Sequence, residues 1–229
     1  MNIIVNGGTR GIGKEIVLNL SLDTGNKIIV TGRNEKVLKY LSSYAGNIHG
    51  IKLDLANPGT DYDSLRNNVK DYFSTIDILI NNAGILVSKE FTETNESEAR
   101  MMMDTNFFGP AIVIRKLKPL MSAGSHIVNI TSMGGFQGSI KFKGLSYYSA
   151  SKAALACLSE CLSNEFAESN ISVNCLALGA VQTEMLEEAF PGYKAPVTAK
   201  EMAEFISYFA INGHKFFNGK ILPVTISTP

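Results

Sequence analysis

This 229-residue chain has no excess of charge of either sign: 21 Lys and Arg balance 21 Asp and Glu, with no long run of one sign. Proteins that hold nucleic acid or an anionic membrane usually carry a basic face, so neither partner is expected. Cysteine is scarce and odd in number (Cys157, Cys161 and Cys175), which argues against a disulfide scaffold and suits a reducing cytoplasm. Cys157 and Cys161 fall four residues apart on a predicted helix, a spacing open to metal or redox chemistry. No third and fourth ligand stands at zinc-like spacing, so they are read as small core residues and no metal is expected. No apolar stretch approaches the ~20 residues that span a bilayer. Met1 to Val5 lead straight into a glycine loop, so no signal peptide is expected. Repeats, low-complexity segments and linkers are also missing, and the Asn-x-Ser/Thr matches at Asn95, Asn129 and Asn170 are read as chance.

What is present is an ordinary globular composition, 45% hydrophobic and 18% charged. A chain of this length buries roughly 70–75% of its unfolded surface without staples. Short, nearly all-apolar runs predict strands at residues 2–6, 27–31, 49–53, 77–80, 126–131, 171–176 and 220–224. Amphipathic patterns between them predict helices at residues 12–22, 35–43, 62–73, 96–121, 147–168 and 199–211. Such alternation implies one α/β domain over residues 1–229: a doubly wound parallel sheet of about seven strands, helices on both faces. Ligands of such sheets bind beyond the carboxyl ends of the strands. The two least regular stretches, residues 133–146 and 184–198, are read as loops near that site, the second as a lid.

The first strand ends in Asn6-Gly7-Gly8-Thr9-Arg10-Gly11-Ile12-Gly13, and a helix follows. Glycines there let the backbone turn, approach a pyrophosphate and aim helix N-terminal amides at negative charge. The spacing is G-x-x-x-G-x-G, not the G-x-G-x-x-G fingerprint, because Gly13 is followed by Ile16 where a third glycine would stand. About 20 residues beyond the loop an NAD site places an acid for the ribose 2′-hydroxyl, whereas a 2′-phosphate calls for arginine. Arg33 stands at that distance, Arg10 lies in the loop itself, and Glu35 reads as the opening of the next helix. The cofactor is therefore read as NADP, with NAD as the alternative should both arginines be merely solvated.

Further motifs follow in order: Asp54-Leu55, Asn81-Asn82-Ala83-Gly84, Thr105-Asn106, Asn129-Ile130-Thr131-Ser132, Tyr148-Ser149-Ala150-Ser151-Lys152, and Gly179-Ala180-Val181-Gln182-Thr183-Glu184-Met185. Together they resemble the short-chain dehydrogenase/reductases over nearly the whole chain, and within them the 3-oxoacyl carrier-protein reductase branch. The resemblance implies a catalytic tetrad of Asn106, Ser132, Tyr148 and Lys152. It also implies a cofactor held by Gly7, Thr9, Arg10, Gly11, Ile12, Gly13, Arg33, Asp54, Leu55, Asn82, Ala83, Gly84, Tyr148, Lys152, Gly179, Val181 and Thr183. In it Lys152 holds the nicotinamide ribose and Asn106 carries a proton-relay water. Members are usually dimers or tetramers, so a homodimer or homotetramer is expected. Departures are Asn6 for the usual threonine, Leu178 for a proline, no C-terminal glycine pair, and excess length between residues 136 and 146.

The residues support this chemistry independently. Tyr148 and Lys152, four apart, share one helix face. A phenol near pKa ~10 trades protons poorly at neutral pH, and a neighbouring ammonium is expected to lower it. Tyr148 then acts as general acid in reduction or base in oxidation, and Ser132 donates to the same substrate oxygen. Tyr147 lies ~100° around the helix and lacks such a lysine. Ser149-x-x-Lys152 also satisfies an acylase motif, but its S-D-N and K-T-G companions and any G-x-S-x-G elbow are missing. The expected function is NADP(H)-dependent reduction of a ketone or of a 3-oxoacyl-type carbonyl, a small molecule or an acyl thioester. Its lining is anticipated at Met133, Phe136, Leu145, Leu186, Phe190 and Tyr193. The alternatives are a non-catalytic dinucleotide-binding sensor or scaffold, and a sugar-modifying member of the same fold.

Overall fold

The computed structural model describes residues 1–57 and 62–226. Seven parallel strands form the central sheet: β1 (Asn2–Asn6), β2 (Lys27–Gly32), β3 (Ile48–Lys52), β4 (Ile76–Asn81), β5 (Met121–Ser132), β6 (Ser172–Leu178) and, last in the chain, β9 (Ile221–Val224). Their order is β3-β2-β1-β4-β5-β6-β9, so the chain winds outward from β1 and returns to lay β4 on β1's other side. That reversal opens a crevice above the carboxyl ends of β1 and β4.

Alternation along each strand divides the core. Ile3, Val5, Ile28 and Val30 pack against α1 (Gly11–Ser21), α2 (Glu35–Tyr44) and α8 (Ala199–Asn212). Ile4, Ile29, Leu79 and Ile127 face α3 (Tyr62–Tyr72), α5 (Gly109–Leu117) and α6 (Ser146–Glu165). Both faces are covered, which is why the strands read as unbroken Ile/Val/Leu runs.

A polar ladder crosses the sheet beneath the crevice, where Thr31, Asn6, Asn81 and Asn129 stand in register on four neighbouring strands. Thr31 Oγ1 donates to Asn6 Oδ1. Asn6 Nδ2 donates to Asn81 Oδ1 (3.1 Å), Asn81 Nδ2 to Asn129 Oδ1 (2.8 Å), and Asn129 Nδ2 to Ser159 Oγ on α6 (2.9 Å). All these residues are buried. Buried amides are stable only when bonded, so the ladder fixes the relative height of four strands and one helix. Asn6, the departure from the family's threonine, is one of its links.

Two expectations change. The helix anticipated over residues 96–121 is divided: α4 (Glu96–Met103) passes through a π-type turn, Asp104–Phe108, into α5. It ends at Leu117 because Pro119 disfavours helix at the residue before it, and β5 begins at Met121. The lid segment is partly ordered, with α7 (Glu184–Ala189) capped by Thr183, whose Oγ1 accepts from Leu186 N (3.2 Å). Two-residue strands β7 (Val181–Gln182) and β8 (Val197–Thr198) pair on either side of it.

Candidate active site

A cleft of about 740 Å³ opens above the carboxyl ends of the strands. One half is built from backbone. Gly7 takes φ +79°, and a Cβ on it would stand 2.4 Å from the Ala83 Cα of the loop after β4. A Cβ on Gly13 would stand 2.1 Å from Gly7 O, an oxygen that also accepts from Asn82 Nδ2 (2.9 Å). Only bare backbone lets the two loops touch. Arg10 precedes α1 without a side-chain cap, and the helix's first turn holds no acid, so its amides and positive end face the cleft. This is a cradle of anion-binding type.

Most of the residues singled out for cofactor contact line this cleft: Gly7, Thr9, Arg10, Gly11, Ile12, Arg33, Asp54, Leu55, Asn82, Ala83, Gly84, Gly179, Val181 and Thr183. Gly13 does not, since it lies below, supporting Gly7 and Asn82. Arg33 is exposed at the rim and makes no ion pair among the described residues. Arg10 Nη1 lies 3.4 Å from Glu188 Oε1. Glu35 opens α2 after Asn34, whose side chain accepts from Lys36 N and Val37 N, and it pairs with Lys52 at 2.6 Å. Asp54 Oδ1 accepts from Ala56 N (3.1 Å), which orders the turn beyond β3.

Between the two halves stand Ser132, Tyr148 and Lys152, all on the lining. Ser132 ends β5, and its Oγ accepts from Gly134 N (3.1 Å); its hydroxyl is near enough to Tyr148 to lower the phenol's pKa. Tyr148 is partly exposed, and desolvation raises its pKa more than the nearby Ser132 hydroxyl lowers it. Lys152 is 4% exposed, donates to Ile130 O (3.1 Å), and is pushed down to about 8 by burial. The expected depression of Tyr148 by the ammonium is not among the effects on the phenol, which burial raises and Ser132 alone lowers; the lysine's bond goes to the β5 carbonyl.

Asn106 is fully buried in the π-type turn and does not line the cleft. Its Oδ1 accepts from Ile85 N (2.8 Å), while Nδ2 donates to Ile85 O (2.9 Å) and Ser151 Oγ (2.9 Å). Ser151 Oγ donates in turn to Tyr148 O (2.7 Å). The asparagine side chain therefore fastens the loop after β4 to the first turns of α6. Ser151, the centre of this junction, enters the sequence reading only as a residue between Tyr148 and Lys152.

The other half is apolar. Met133, Leu145, Leu186, Phe190 and Tyr193 line it as anticipated, together with Ile85, Leu86, Ile140, Phe142 and Met185. Phe136 is not on the lining; its carbonyl instead accepts from Lys141 Nζ (2.6 Å) and Ser139 Oγ (2.9 Å). Tyr147 turns away and stacks on Phe91 at 5.3 Å. Cys157 and Cys161 are exposed on α6, contrary to the core placement expected for them, and only Cys175 is buried. Among the described residues no cluster of three His, Cys, Asp or Glu side chains is placed to hold a metal. No helix of the described residues is long and apolar enough to cross a membrane.

Comparison with known proteins agrees with this architecture. The sequence pattern of the short chain dehydrogenase family matches residues 1–194. Dehydrogenase/reductase SDR family member 7B of Mus musculus is 35% identical over 193 residues, covering 80% of this chain and 58% of its own, so the chain spans little more than half of that relative. The 3-oxoacyl-[acyl-carrier-protein] reductase FabG of Salmonella typhimurium is 29% identical, covering 96% of this chain and 94% of its own. A dehydrogenase/reductase from Sinorhizobium meliloti 1021 superposes with TM-score 0.84 at 27% identity, over 98% of this chain and 93% of its own. A short chain dehydrogenase from Burkholderia cenocepacia J2315 in complex with NADP superposes with TM-score 0.85 at 23% identity, over 97% and 95%.

Proposed function

This chain belongs to the short-chain dehydrogenase/reductase family of NAD(P)-dependent oxidoreductases, and we propose that it is an NADP(H)-dependent reductase of a ketone or 3-oxoacyl-type carbonyl. The observation that carries the reading is the convergence of Ser132, Tyr148 and Lys152 on one wall of the cleft, between the glycine cradle and the apolar half. The cradle fits a dinucleotide. Gly7 and Gly13 leave no room for a Cβ, α1 offers an uncapped N-terminus, and Thr105 Oγ1 is buried on the lining without a hydrogen-bond partner among the described residues. Thr105 lies one turn before Gly109, which packs on Leu55, so its hydroxyl suits the adenine end beside Asp54 and Leu55. Arg33 and Arg10 suit a 2′-phosphate, in keeping with the NADP held by the Burkholderia cenocepacia protein. When bound, the nicotinamide supplies or accepts the hydride.

The protein's own groups do the rest. Ser132 donates a hydrogen bond to the carbonyl oxygen as negative charge develops there. A Tyr148 pKa raised by burial keeps the phenol protonated at neutral pH, the state a general acid for reduction requires. Buried Lys152 places an ammonium behind it, and that charge acts on the tyrosine once the cleft is filled and water excluded. We further place the enzyme in the cytoplasm as a homodimer or homotetramer. The test is oxidation of NADPH and NADH followed with 3-oxoacyl thioesters, ketones, aldehydes and keto-sugars. NADPH turnover with one of the first two classes is expected, and Tyr148→Phe should reduce it by at least ~10²-fold without changing NADPH affinity. Turnover in Tyr148→Phe within a few-fold of wild type would remove the tyrosine from the mechanism.

A further inference from the structure

The strap that carries α7 presents two different edges. Met185, Leu186 and Phe190 line the apolar half of the cleft. Glu184 and Glu188, one helical turn apart, face the glycine loop. Glu184 Oε2 lies 3.5 Å from where a Cβ on Gly11 would stand, and Glu188 Oε1 lies 3.4 Å from Arg10 Nη1. Carboxylates therefore border a cradle built for phosphate, and one of them engages a cation that reaches toward it. The strap is held in this position by its own bonds. Gln182 Oε1 accepts from Ala195 N (2.9 Å), β7 pairs with β8, and Thr183 caps α7.

We propose that Glu188 is a specificity residue that sets the ratio of NADPH to NADH affinity by competing with the 2′-phosphate for Arg10. This rests on the assignment of Arg10 to that phosphate. The Glu188 carboxylate holds the guanidinium; NADP(H) has to take it over, whereas NAD(H) leaves the pair intact. Both side chains are about half exposed or more, 46% and 67%, so the pair is weak and exchangeable and does not lock the strap. Arg33, with no such rival among the described residues, remains the unopposed reader of the phosphate.

The experiment is calorimetric titration of NADPH and NADH into wild type, Glu188→Gln, Arg10→Ala and the double variant at low salt. All are surface substitutions that leave the core untouched. Glu188→Gln is expected to tighten NADPH about two- to five-fold, the range of an exposed ion pair, with a smaller change for NADH. The shift in ratio should vanish in the Arg10→Ala background and shrink at high salt. A ratio unmoved by Glu188→Gln, or moved equally with and without Arg10, overturns the proposal while leaving the cofactor assignment standing. A wild type that prefers NADH, or an Arg10→Ala variant that binds NADPH as wild type does, overturns the 2′-phosphate assignment and the proposal with it.

Discussion

The two halves of the cleft are built of different material. The cofactor half is backbone against backbone: Gly7, Gly13 and the Asn82–Ala83 loop meet at distances that admit no side chain, above a ladder of buried amides. The substrate half is side chain on loop. Ile140, Phe142, Phe190 and Tyr193 come from segments tied down by exposed bonds such as Lys143–Glu90 and Lys141 Nζ–Phe136 O. A close-packed backbone junction has one solution and tolerates no added atom, whereas loop side chains exchange at small cost. The comparison thus divides what defines the chemistry from what selects the substrate.

The largest effect should come from adding one carbon to the first half. Gly13→Ala drives a Cβ to 2.1 Å from Gly7 O, so the loop has to open. Overpacking of this kind costs roughly 1–3 kcal/mol or more in stability, and because the displaced atoms are the cradle itself, NADPH affinity should fall by more than ~10²-fold. Gly192→Ala in the lid meets nothing within 4 Å among the described residues and opposes only a φ of +82°, so it should cost about 1–2 kcal/mol and leave NADPH affinity unchanged. Cofactor titration and urea denaturation of both variants would break the comparison if Gly13→Ala bound normally.

Lys152 stands on the wall between the halves and carries a cost of its own. Burial takes it from 10.5 to about 8, so the native state binds fewer protons than the unfolded state between those values, and stability should rise as pH climbs from about 8 to 10.5. Below pH 8 the buried charge costs up to ~3 kcal/mol, less what its bond to Ile130 O returns. Lys152→Met is expected to be more stable than wild type at pH 7, by about 1–3 kcal/mol, and inactive. Denaturation at pH 7 and pH 9.5 should show the gap narrowing as the wild-type lysine discharges.

At the rim of the cofactor half, Arg33→Ala removes a charge-assisted contact of about 1.5–3 kcal/mol, or roughly 10- to 150-fold in NADPH affinity. NADH lacks the phosphate and should bind unchanged. Parallel titrations decide it: equal losses for both cofactors would mean that Arg33 supports the β2 end and does not read the phosphate.

How much of this could be read in the sequence follows the same division. The sheet, the glycine loop and the Tyr148–Lys152 pair were legible because periodicity, glycine and helical spacing are local signals. The π-type turn at Asp104–Phe108 changes one helical bond and leaves no mark in residue type. α7 and the two-residue strands β7 and β8 are too short to show a period. Cys157 and Cys161 were misplaced because α6, rich in Ala, Ser and Cys, has little contrast between its faces. The amide ladder had a signal that went unread: Thr31, Asn6, Asn81 and Asn129 stand at or near the ends of consecutive apolar strands, where an isolated polar residue needs a partner.

The smallest effect should come from the substrate half, and it tests whether that half selects at all. Phe142 lies in the lengthened loop, is 48% exposed, and with Leu145 lines both the main cleft and a neighbouring hollow of about 410 Å³. Half of the ring already faces water, so its removal forfeits only part of the burial of a phenylalanine, on the order of 1 kcal/mol. Phe142→Ala is expected to raise KM for an apolar carbonyl substrate about three- to ten-fold, with kcat, NADPH affinity and stability near wild type. If chemistry and selection are separable as the two halves suggest, steady-state kinetics will show the loss in KM alone. A fall in kcat as large as that of Tyr148→Phe would instead place the loop within the catalytic wall, and the division between the halves would have to be redrawn.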